Sequence, residues 1–299
     1  MTKSESERRS RSAEGGAVIQ LENLTKRYGT VTAVDGLTFE IEPGEIFGLL
    51  GPNGAGKTTT IQMLTGLLDP DHGRICIAGL GPPTDPRVRR EIGLATQSVS
   101  LYDDFSAEAN LSFFGKLYGL RGAALRARVD FALAVAQLTE RRAHRVRTFS
   151  GGMKRRLNLA AALVHDPEVI VLDEPTAGVD PQSREAILTS IAALRSAGRT
   201  VIYTTHSMDE AQRLCDRVGI LDRGRLLAVD TVARLVQAHA LETEVCIELR
   251  SGEQRTRTRE PIGEVSRWID HPELVGMRIE APSLESVFLT LTGRSLRDS

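Results

Sequence analysis

The alternation of hydrophobic and polar positions predicts several short strands in this chain. Residues 37–42 alternate apolar and polar side chains, which is typical of a strand buried on one face. Pro43 and Gly44 then predict a turn, because both residue types favour tight changes of direction. Three mainly apolar runs are short enough to be strands buried on both faces, namely residues 45–50, 169–172 and 201–205.

Helical spacing occupies much of the chain between these runs. Residues 183–197 repeat apolar side chains at helical intervals, and Gly198 follows as a stop signal. Strands that alternate with helices imply an α/β fold, in which helices cover a mostly parallel sheet. Residues 98–165 differ from the rest, because their Ala- and Leu-rich helical pattern carries few strand signals. We therefore expect a helical subdomain inserted into the α/β core.

The two ends of the chain differ from this core, which we place at residues 17–228. Residues 1–16 are mostly polar, and a disordered tail is expected because so little apolar surface cannot offset the entropy of ordering. Residues 218–228 predict a hairpin that closes the core. Residues 229–299 have mixed polarity and are predicted to form a small C-terminal domain.

Composition excludes several classes of protein. The 299 residues carry a formal net charge of −1, which argues against a broad nucleic-acid-binding surface. No stretch approaches the roughly 18 consecutive apolar residues of a membrane-spanning helix, and the N-terminus lacks the apolar core of a secretory signal. The three cysteines have no paired spacing, which fits a reducing compartment. A soluble, cytoplasmic protein is expected.

Residues 51–58 satisfy the phosphate-binding loop pattern in full. A predicted strand precedes them and a helical pattern follows, as the motif requires, so a chance match in a Gly-rich turn is disfavoured. The glycines allow close approach of backbone N–H groups to phosphate oxygens. Lys57 can bring its ammonium to the β- and γ-phosphates, and Thr58 offers a hydroxyl to Mg²⁺. The predicted nucleotide-binding residues here are Gly51, Pro52, Asn53, Gly54, Ala55, Gly56, Lys57, Thr58 and Thr59.

Asp173 and Glu174 follow directly after the predicted strand 169–172. A carboxylate at the end of a buried strand, beside the phosphate-binding loop, can hold Mg²⁺ through a water. Glu174 extends one residue further and could orient or deprotonate an attacking water. Strands often end in two solvated acids, so this pair gains its weight from the neighbouring loop.

Residues 149–153 separate this chain from other proteins with the same loop. At this point it resembles the ABC ATPase family, whose signature is commonly Leu-Ser-Gly-Gly-Gln. Ser150, Gly151 and Gly152 match, whereas Phe149 and Met153 depart from the commonest form. The resemblance implies ATP as the nucleotide. It also implies a second ATPase subunit in a head-to-tail homodimer, because the family binds ATP between the loop of one subunit and the signature of the other.

Further positions match the same family, and the resemblance runs over residues 18–228. It implies that Gln97 contacts Mg²⁺ and senses the transporter, and that His206 acts in catalysis with Lys57 and Glu174 by contacting the γ-phosphate or the attacking water. It also implies that Asp180 lies in the loop that links the two sites, and that Tyr28 stacks on adenine. Each of these four has a plainer alternative: a surface amide, an ordinary histidine, a helix cap and a tyrosine packed on the core.

Two classes of function stay open from the residues. The first is an ATP-hydrolysing subunit that lies on the cytoplasmic face of a membrane and powers a permease on a separate chain. The second is a soluble ABC ATPase that acts on nucleic acid or ribosomes. Neither a long heptad arm nor a second ATPase copy is found, so the second class, and with it a nucleic-acid partner, is disfavoured.

Two segments bear on the transporter hypothesis. Residues 281–293 resemble the tail of ABC-2 type drug and daunorubicin export ATPases, which favours export of drug-like or lipophilic substrates. From the residues alone this tail is a short amphipathic helix that covers the C-terminal part. In the helical subdomain, four aromatic residues are hypothesised to line the groove for the permease, although core packing is an alternative for most: Phe105, Phe113, Phe114 and Tyr118.

Overall fold

The computed structural model describes residues 16–239 and 242–293, which form two compact units divided between Leu227 and Ala228. The expected disordered tail, apart from Gly16, lies outside the described residues. Within the part that the structure describes, no helix is long and apolar enough to cross a membrane.

The first unit contains a six-stranded sheet and a smaller antiparallel sheet. The strands, the last of which crosses the division between the units, are β1 (Ile19–Tyr28), β2 (Val31–Ile41), β3 (Ile46–Leu50), β4 (His72–Ile77), β5 (Ile92–Ala95), β6 (Val169–Asp173), β7 (Thr200–Thr205), β8 (Arg217–Asp222) and β9 (Arg225–Thr231). The large sheet has the order β5-β6-β7-β3-β8-β9, and its neighbours from β5 to β8 run parallel. The small sheet has the order β2-β1-β4 with antiparallel pairs. Both sheets agree with the predicted fold class.

The predicted hairpin near residue 223 is confirmed. Strands β8 and β9 are neighbours joined by Arg223 and Gly224, whose φ angles are +48° and +78°. Two positive φ angles in a two-residue connection are typical of a type I′ turn, whose twist matches that of paired strands.

Helices cover the large sheet and build the segment between β5 and β6. They are α1 (Lys57–Leu64), α2 (Pro86–Arg89), α3 (Ala107–Leu117), α4 (Gly122–Val135), α5 (Gly151–Leu163), α6 (Pro181–Ser196) and α7 (Met208–Leu214). Helices α3, α4 and α5 bury a separate hydrophobic cluster, which includes Leu111, Val129 and Leu157. The helical pattern predicted for this segment is confirmed.

The second unit is an antiparallel sheet with three helices. Its elements are α8 (Val232–His239), β10 (Thr243–Leu249), β11 (Gly252–Thr258), α9 (Pro261–Trp268), β12 (Leu274–Glu280) and α10 (Leu284–Thr292), with the strand order β11-β10-β12. Helix α10 buries Leu284, Val287 and Phe288, and it packs against α8. The amphipathic tail therefore covers its own unit, as its residues alone predict.

The parallel register brings the predicted chemistry to one edge of the large sheet. Leu50 of β3 pairs with Thr205 of β7, and Asp173 of β6 pairs with Thr204 of β7. The carboxyl ends of parallel neighbours lie at the same edge, which is where α/β proteins bind their ligands. The phosphate-binding loop, Asp173 and the segment that begins at His206 therefore start from the same edge.

Candidate active site

The phosphate-binding loop, residues 51–56, connects β3 to α1 at this edge. Gly56 caps α1 with a φ of +103°, and a Cβ built there would lie 2.5 Å from the carbonyl oxygen of Ala33. Only glycine fits such a combination of positive φ and close backbone. Because α1 begins at Lys57, the unpaired N–H groups of its first turn border the loop, as in an anion-binding site.

The side chain of Lys57, the first residue of α1, reaches back to the loop. Its Nζ donates to the carbonyl oxygens of Gly51 at 2.7 Å and Pro52 at 3.1 Å, and lies 3.3 Å from Oε1 of Glu174. Only 5% of the side chain is exposed, and this burial lowers the pKa of Lys57, whereas the charge of Glu174 raises it. An ion pair therefore joins Lys57 and Glu174, which the sequence predicts to belong to one site.

Asp173 is buried at the end of β6, and its Oδ1 accepts a hydrogen bond from Oγ1 of Thr204 at 2.8 Å. Burial raises the pKa of Asp173, while hydrogen bonds from Thr204 and Thr58 lower it. A desolvated carboxylate beside the Thr58 hydroxyl offers the hard oxygen donors that Mg²⁺ prefers, so these residues fit the ion.

Glu174 lies between a lysine and a histidine. Its Oε1 is 3.3 Å from Nζ of Lys57, and its Oε2 is 3.4 Å from Nδ1 of His206. Its φ of +45° is unusual for a residue with a side chain, and such strain is concentrated at functional sites. The backbone N–H of Glu174 donates to Oγ1 of Thr204 at 3.0 Å, which helps to hold this conformation. The three predicted catalytic side chains therefore form one chain of contacts.

Ser150 begins helix α5. Its Oγ accepts from the backbone N–H of Met153 at 3.2 Å, so the residue is an N-cap in addition to any role toward nucleotide. Ser150 and Gly151 are exposed at the start of the helix. Within the described part of the chain, Ser150 accepts hydrogen bonds from the backbone N–H groups of Met153 and Lys154 in the same helix. Their exposure leaves these positions accessible to another molecule.

The two departures from the common signature have a packing role. Phe149 is only 7% exposed within the cluster of the helical subdomain, and Met153 packs against the same cluster. Phe149 and Met153 both anchor the start of α5 in hydrophobic surroundings, which explains why apolar residues flank the Ser-Gly-Gly core.

Gly152 of α5 lies against Ser183 of α6, where the two helices meet closely. A Cβ at Gly152 would collide with Oγ and Cβ of Ser183, but would lie at an ordinary 3.6 Å from its Cα. We expect Gly152→Ala to lower the free energy of unfolding by about 1–3 kcal/mol, through overpacking. The double variant Gly152→Ala/Ser183→Gly should regain most of that loss. Urea unfolding measures both.

Gly151→Ala is the matched control for this substitution. A Cβ at Gly151 meets no atom within 4 Å, and alanine favours helix over glycine. An equal loss of stability in Gly151→Ala and Gly152→Ala would show that the contact with Ser183 is not the cause.

Gln97 is exposed just beyond β5. Its backbone oxygen accepts a hydrogen bond from Nη1 of Arg155, while Nη2 of the same arginine donates to the carbonyl oxygen of Ala177 at 3.3 Å. Arg155 of α5 thereby ties the Gln97 segment to the segment that leads into Asp180. The structure places the Gln97 backbone beside the signature helix.

The structure contradicts the plainer alternative for Tyr28, which is packing on the core, and shows the one for Asp180, which is a helix cap. Tyr28 ends β1 with 49% of its surface exposed, so it is not packed on the core. Asp180 caps α6, because its Oδ1 accepts from the backbone N–H of Ser183 at 2.9 Å. Hydrogen bonds from the side chain and the backbone of Ser183 lower the pKa of Asp180. The capping hydrogen bond leaves other lone pairs of this carboxylate for a further contact.

Two residues of this region were not predicted from sequence. Thr204 donates to Asp173 and accepts from the N–H of Glu174. A hydroxyl at the end of a buried strand is the available signal for Thr204. Glu210, in the first turn of α7, is only 4% exposed. Nothing local distinguishes it from an acidic residue that faces solvent near a helix start.

This geometry has a clear chemical capacity. Helix N–H groups and the Lys57 ammonium can bind phosphate oxygens, and the Glu174 carboxylate can accept a proton from water. Both are combined with an oxygen pair suited to Mg²⁺.

Comparison with known proteins agrees with this capacity. A profile of the family described as ABC transporter matches residues 34–177. The Linearmycin resistance ATP-binding protein LnrL of Bacillus subtilis (strain 168) is 40% identical, and the alignment covers 94% of this chain and 100% of that protein. The Nod factor export ATP-binding protein I of Cupriavidus metallidurans is 39% identical, with 94% of this chain and 99% of that protein covered.

Solved structures share the fold. One described as the ATP binding subunit of an ABC transporter has a TM-score of 0.68 at 30% identity, and covers 75% of this chain and 94% of its own. The cbiO1 protein of Clostridium perfringens, part of the ABC transporter complex cbiONQ, has a TM-score of 0.67 at 30% identity, with 72% of this chain and 88% of its own covered. The chain therefore belongs to the ABC transporter family, as one of its ATP-binding and ATP-hydrolysing proteins.

Proposed function

We propose that this chain is the ATPase subunit of an exporter, which acts at the cytoplasmic face of a membrane and drives a permease on a separate chain. The observation that carries this proposal is its similarity, over 94% of its length, to ATP-binding proteins named for linearmycin resistance and Nod factor export. A drug-like or lipophilic substrate fits the former name and the tail, residues 281–293. Action on nucleic acid or ribosomes has no counterpart among these relatives.

The contacts of Lys57 and Glu174 suggest how hydrolysis proceeds. Lys57 leaves the carbonyls of its loop to bind the β- and γ-phosphates, since phosphate oxygens are stronger acceptors for an ammonium. Glu174 orients a water and takes its proton as the water oxygen bonds to the γ-phosphorus. The bond from that phosphorus to the bridging oxygen breaks, giving ADP and phosphate. His206, 3.4 Å from Glu174, holds the same water or the γ-phosphate.

Other residues complete the site. Thr58 and Asp173, with Gln97 as a further ligand, would hold Mg²⁺, whose charge offsets that of the phosphates. Tyr28 offers an exposed ring on which adenine can stack, a contact worth about 1–3 kcal/mol for a base on an aromatic side chain.

We also propose that two copies close head to tail over two ATP molecules. Ser150 and Gly151 stand exposed at the start of α5, where N–H groups can bind the γ-phosphate held by the other copy. Contacts made only in the closed state drive closure, and loss of the γ-phosphate removes them. The permease converts this movement into alternating access.

A groove beside the Gln97 segment is the proposed docking site for the permease. It is a cavity of about 330 Å³ between β5, α3 and α5, with Leu67, Phe114 and Tyr118 in its lining. Phe105 and Phe113 lie outside that lining, in an adjoining cluster with Phe114 around Tyr102, whose ring centroids are 5.0–6.5 Å from theirs. Such an exposed apolar surface suits a short helix of a membrane protein.

Leu67→Glu tests this docking site. Leu67 lines the groove and is 68% exposed, so the substitution should leave folding and basal ATP hydrolysis unchanged. Stimulation of ATPase activity by the co-expressed permease, and its co-purification, should fall by about tenfold or more, because a desolvated unpaired charge costs several kcal/mol. Leu117→Glu, at 65% exposure and outside the groove lining, is the matched control. Undiminished co-purification of Leu67→Glu with the permease would contradict the proposal.

A further inference from the structure

Glu210 is a buried carboxylate just behind the proposed catalytic side chains. It lies in the first turn of α7, three residues after the cap Ser207, and is 4% exposed. A buried carboxylate is stable only when donors replace the water it has lost. Glu210 has hydrogen-bond donors on one oxygen and an arginine near the other.

Hydroxyl groups from β7 and from the loop after β6 converge on Oε2 of Glu210. Thr176 donates at 2.9 Å, Tyr203 at 2.5 Å and Thr205 at 3.1 Å. Burial raises the pKa of Tyr203, and the charge of Glu210 raises it further, so this phenol keeps its proton and donates. Oε1 lies 3.4 Å from Nε of Arg184 in α6. Charge-assisted hydrogen bonds of this kind are about twice as strong as neutral ones.

These donors belong to the segments that carry the proposed catalytic pair. Thr176 lies two residues after Glu174, and Thr205 directly precedes His206. Thr205 also accepts from the N–H of Ser207 at 2.9 Å, so its hydroxyl holds the chain on both sides of the histidine. Glu210 therefore accepts hydrogen bonds from both the segment that carries Glu174 and the segment that carries His206. The side chains of Glu174 and His206 lie 3.4 Å apart.

We propose that Glu210 is a positioning residue for ATP hydrolysis. It fixes Glu174 and His206 relative to each other, because it accepts hydrogen bonds from hydroxyl groups in the segment of Glu174 and in the segment of His206. In this role Glu210 acts through the segments that carry Glu174, whose backbone is strained, and His206, whose side chain is exposed. This inference rests on the catalytic roles proposed for those two residues.

Glu210→Gln is the first test, because glutamine keeps the shape but loses the charge that gathers the donors. The kcat for ATP hydrolysis should fall by the order of 10- to 100-fold, as expected for small displacements of reacting groups. The Kd for ATP should stay within about twofold of wild type, since in the described part of the chain the hydroxyl groups that Glu210 accepts from are those of Thr176, Tyr203 and Thr205, all outside the phosphate-binding loop. A kcat equal to wild type would overturn the proposal.

Glu45→Gln is the matched control. Glu45 is also a buried carboxylate, at 8% exposure, and accepts from the N–H of Glu42 at 2.8 Å and from Arg217 at 3.1 Å. It precedes β3, so it lies at the edge of the sheet opposite the site. An equal fall in kcat in both variants would attribute the effect to general destabilisation and contradict a positioning role.

A double-mutant cycle distinguishes this inference from the function on which it rests. If Glu210 acts through Glu174, then Glu210→Gln should lower the single-turnover rate much less in the Glu174→Gln background than in wild type. Full additivity would overturn the inference. Normal hydrolysis by Glu174→Gln alone would instead remove the proposed base. Should Glu210→Gln fail to fold, Tyr203→Phe removes the 2.5 Å donor alone, and an unchanged kcat in that variant would overturn the proposal.

Discussion

Glu174→Gln is expected to lower kcat for ATP hydrolysis by about 10²- to 10⁴-fold, the usual contribution of a general base. Glutamine fits the same space beside Lys57 and His206 but cannot accept the proton of water. ATP should still bind, because the ammonium 3.3 Å away loses a competing carboxylate and is freer to contact phosphate. Phosphate release gives the rate, and a fluorescent ATP analogue gives the affinity.

The expected split between catalysis and binding makes this prediction specific. Glu45→Gln serves again as the control for a change of charge in the fold, and should keep both quantities near wild type. A Glu174→Gln variant that hydrolyses ATP at the wild-type rate would contradict its assignment. One that loses ATP binding as well would place Glu174 in binding rather than in water activation.

Mixing two inactive variants should restore hydrolysis. Lys57→Ala disables the phosphate-binding loop, and Gly151→Asp places a negative charge where the signature meets the γ-phosphate. In a head-to-tail heterodimer both lesions fall in one site, and the other site pairs an intact loop with an intact signature. Random pairing should therefore give up to about one quarter of the wild-type rate, if the two sites act independently.

The surroundings of Gly151 explain the choice of Gly151→Asp. A side chain at Gly151 meets no atom within 4 Å, and an acidic residue in the first helical turn suits the helix dipole, so this variant should fold. The control mixture combines Lys57→Ala with Glu174→Gln, whose lesions lie in the same half of each site and leave no intact pair. Equal recovery in both mixtures, or none in the first, would contradict the head-to-tail arrangement.

Local signals explain why much of this site could be predicted. The apolar run 45–50 and the pattern 51–58 are adjacent in sequence, and the strand-turn-helix geometry follows from them directly. Asp173 was likewise marked by the apolar run before it, whereas His206 was predicted from the resemblance to the ABC ATPase family. Their approach to the loop depends on β6, β7 and β3 being parallel neighbours, which the alternation of strands and helices predicts only as a class.

Long-range hydrogen bonds account for what was missed. Thr204 matters because its register places it opposite Asp173, and a single strand does not reveal its register. Glu210 is buried because Tyr203 and Thr176 meet it from other elements. The apolar side chain of Met153 could be noticed as a departure from the family, but its packing role depends on a helical cluster whose members are distant in sequence.

The close contact of Gly152 with Ser183 has a mechanical consequence. Arg155, one turn along the same helix, also holds the carbonyl of Ala177, so the start of α5 is attached at two points to the segment that carries Asp180. The same guanidinium also holds the Gln97 backbone, so a displacement of Gln97 would move α5 and the Asp180 segment together rather than as two independent loops. Permease movement at Gln97 and opening of the nucleotide site near Asp180 would then be coupled through the start of α5.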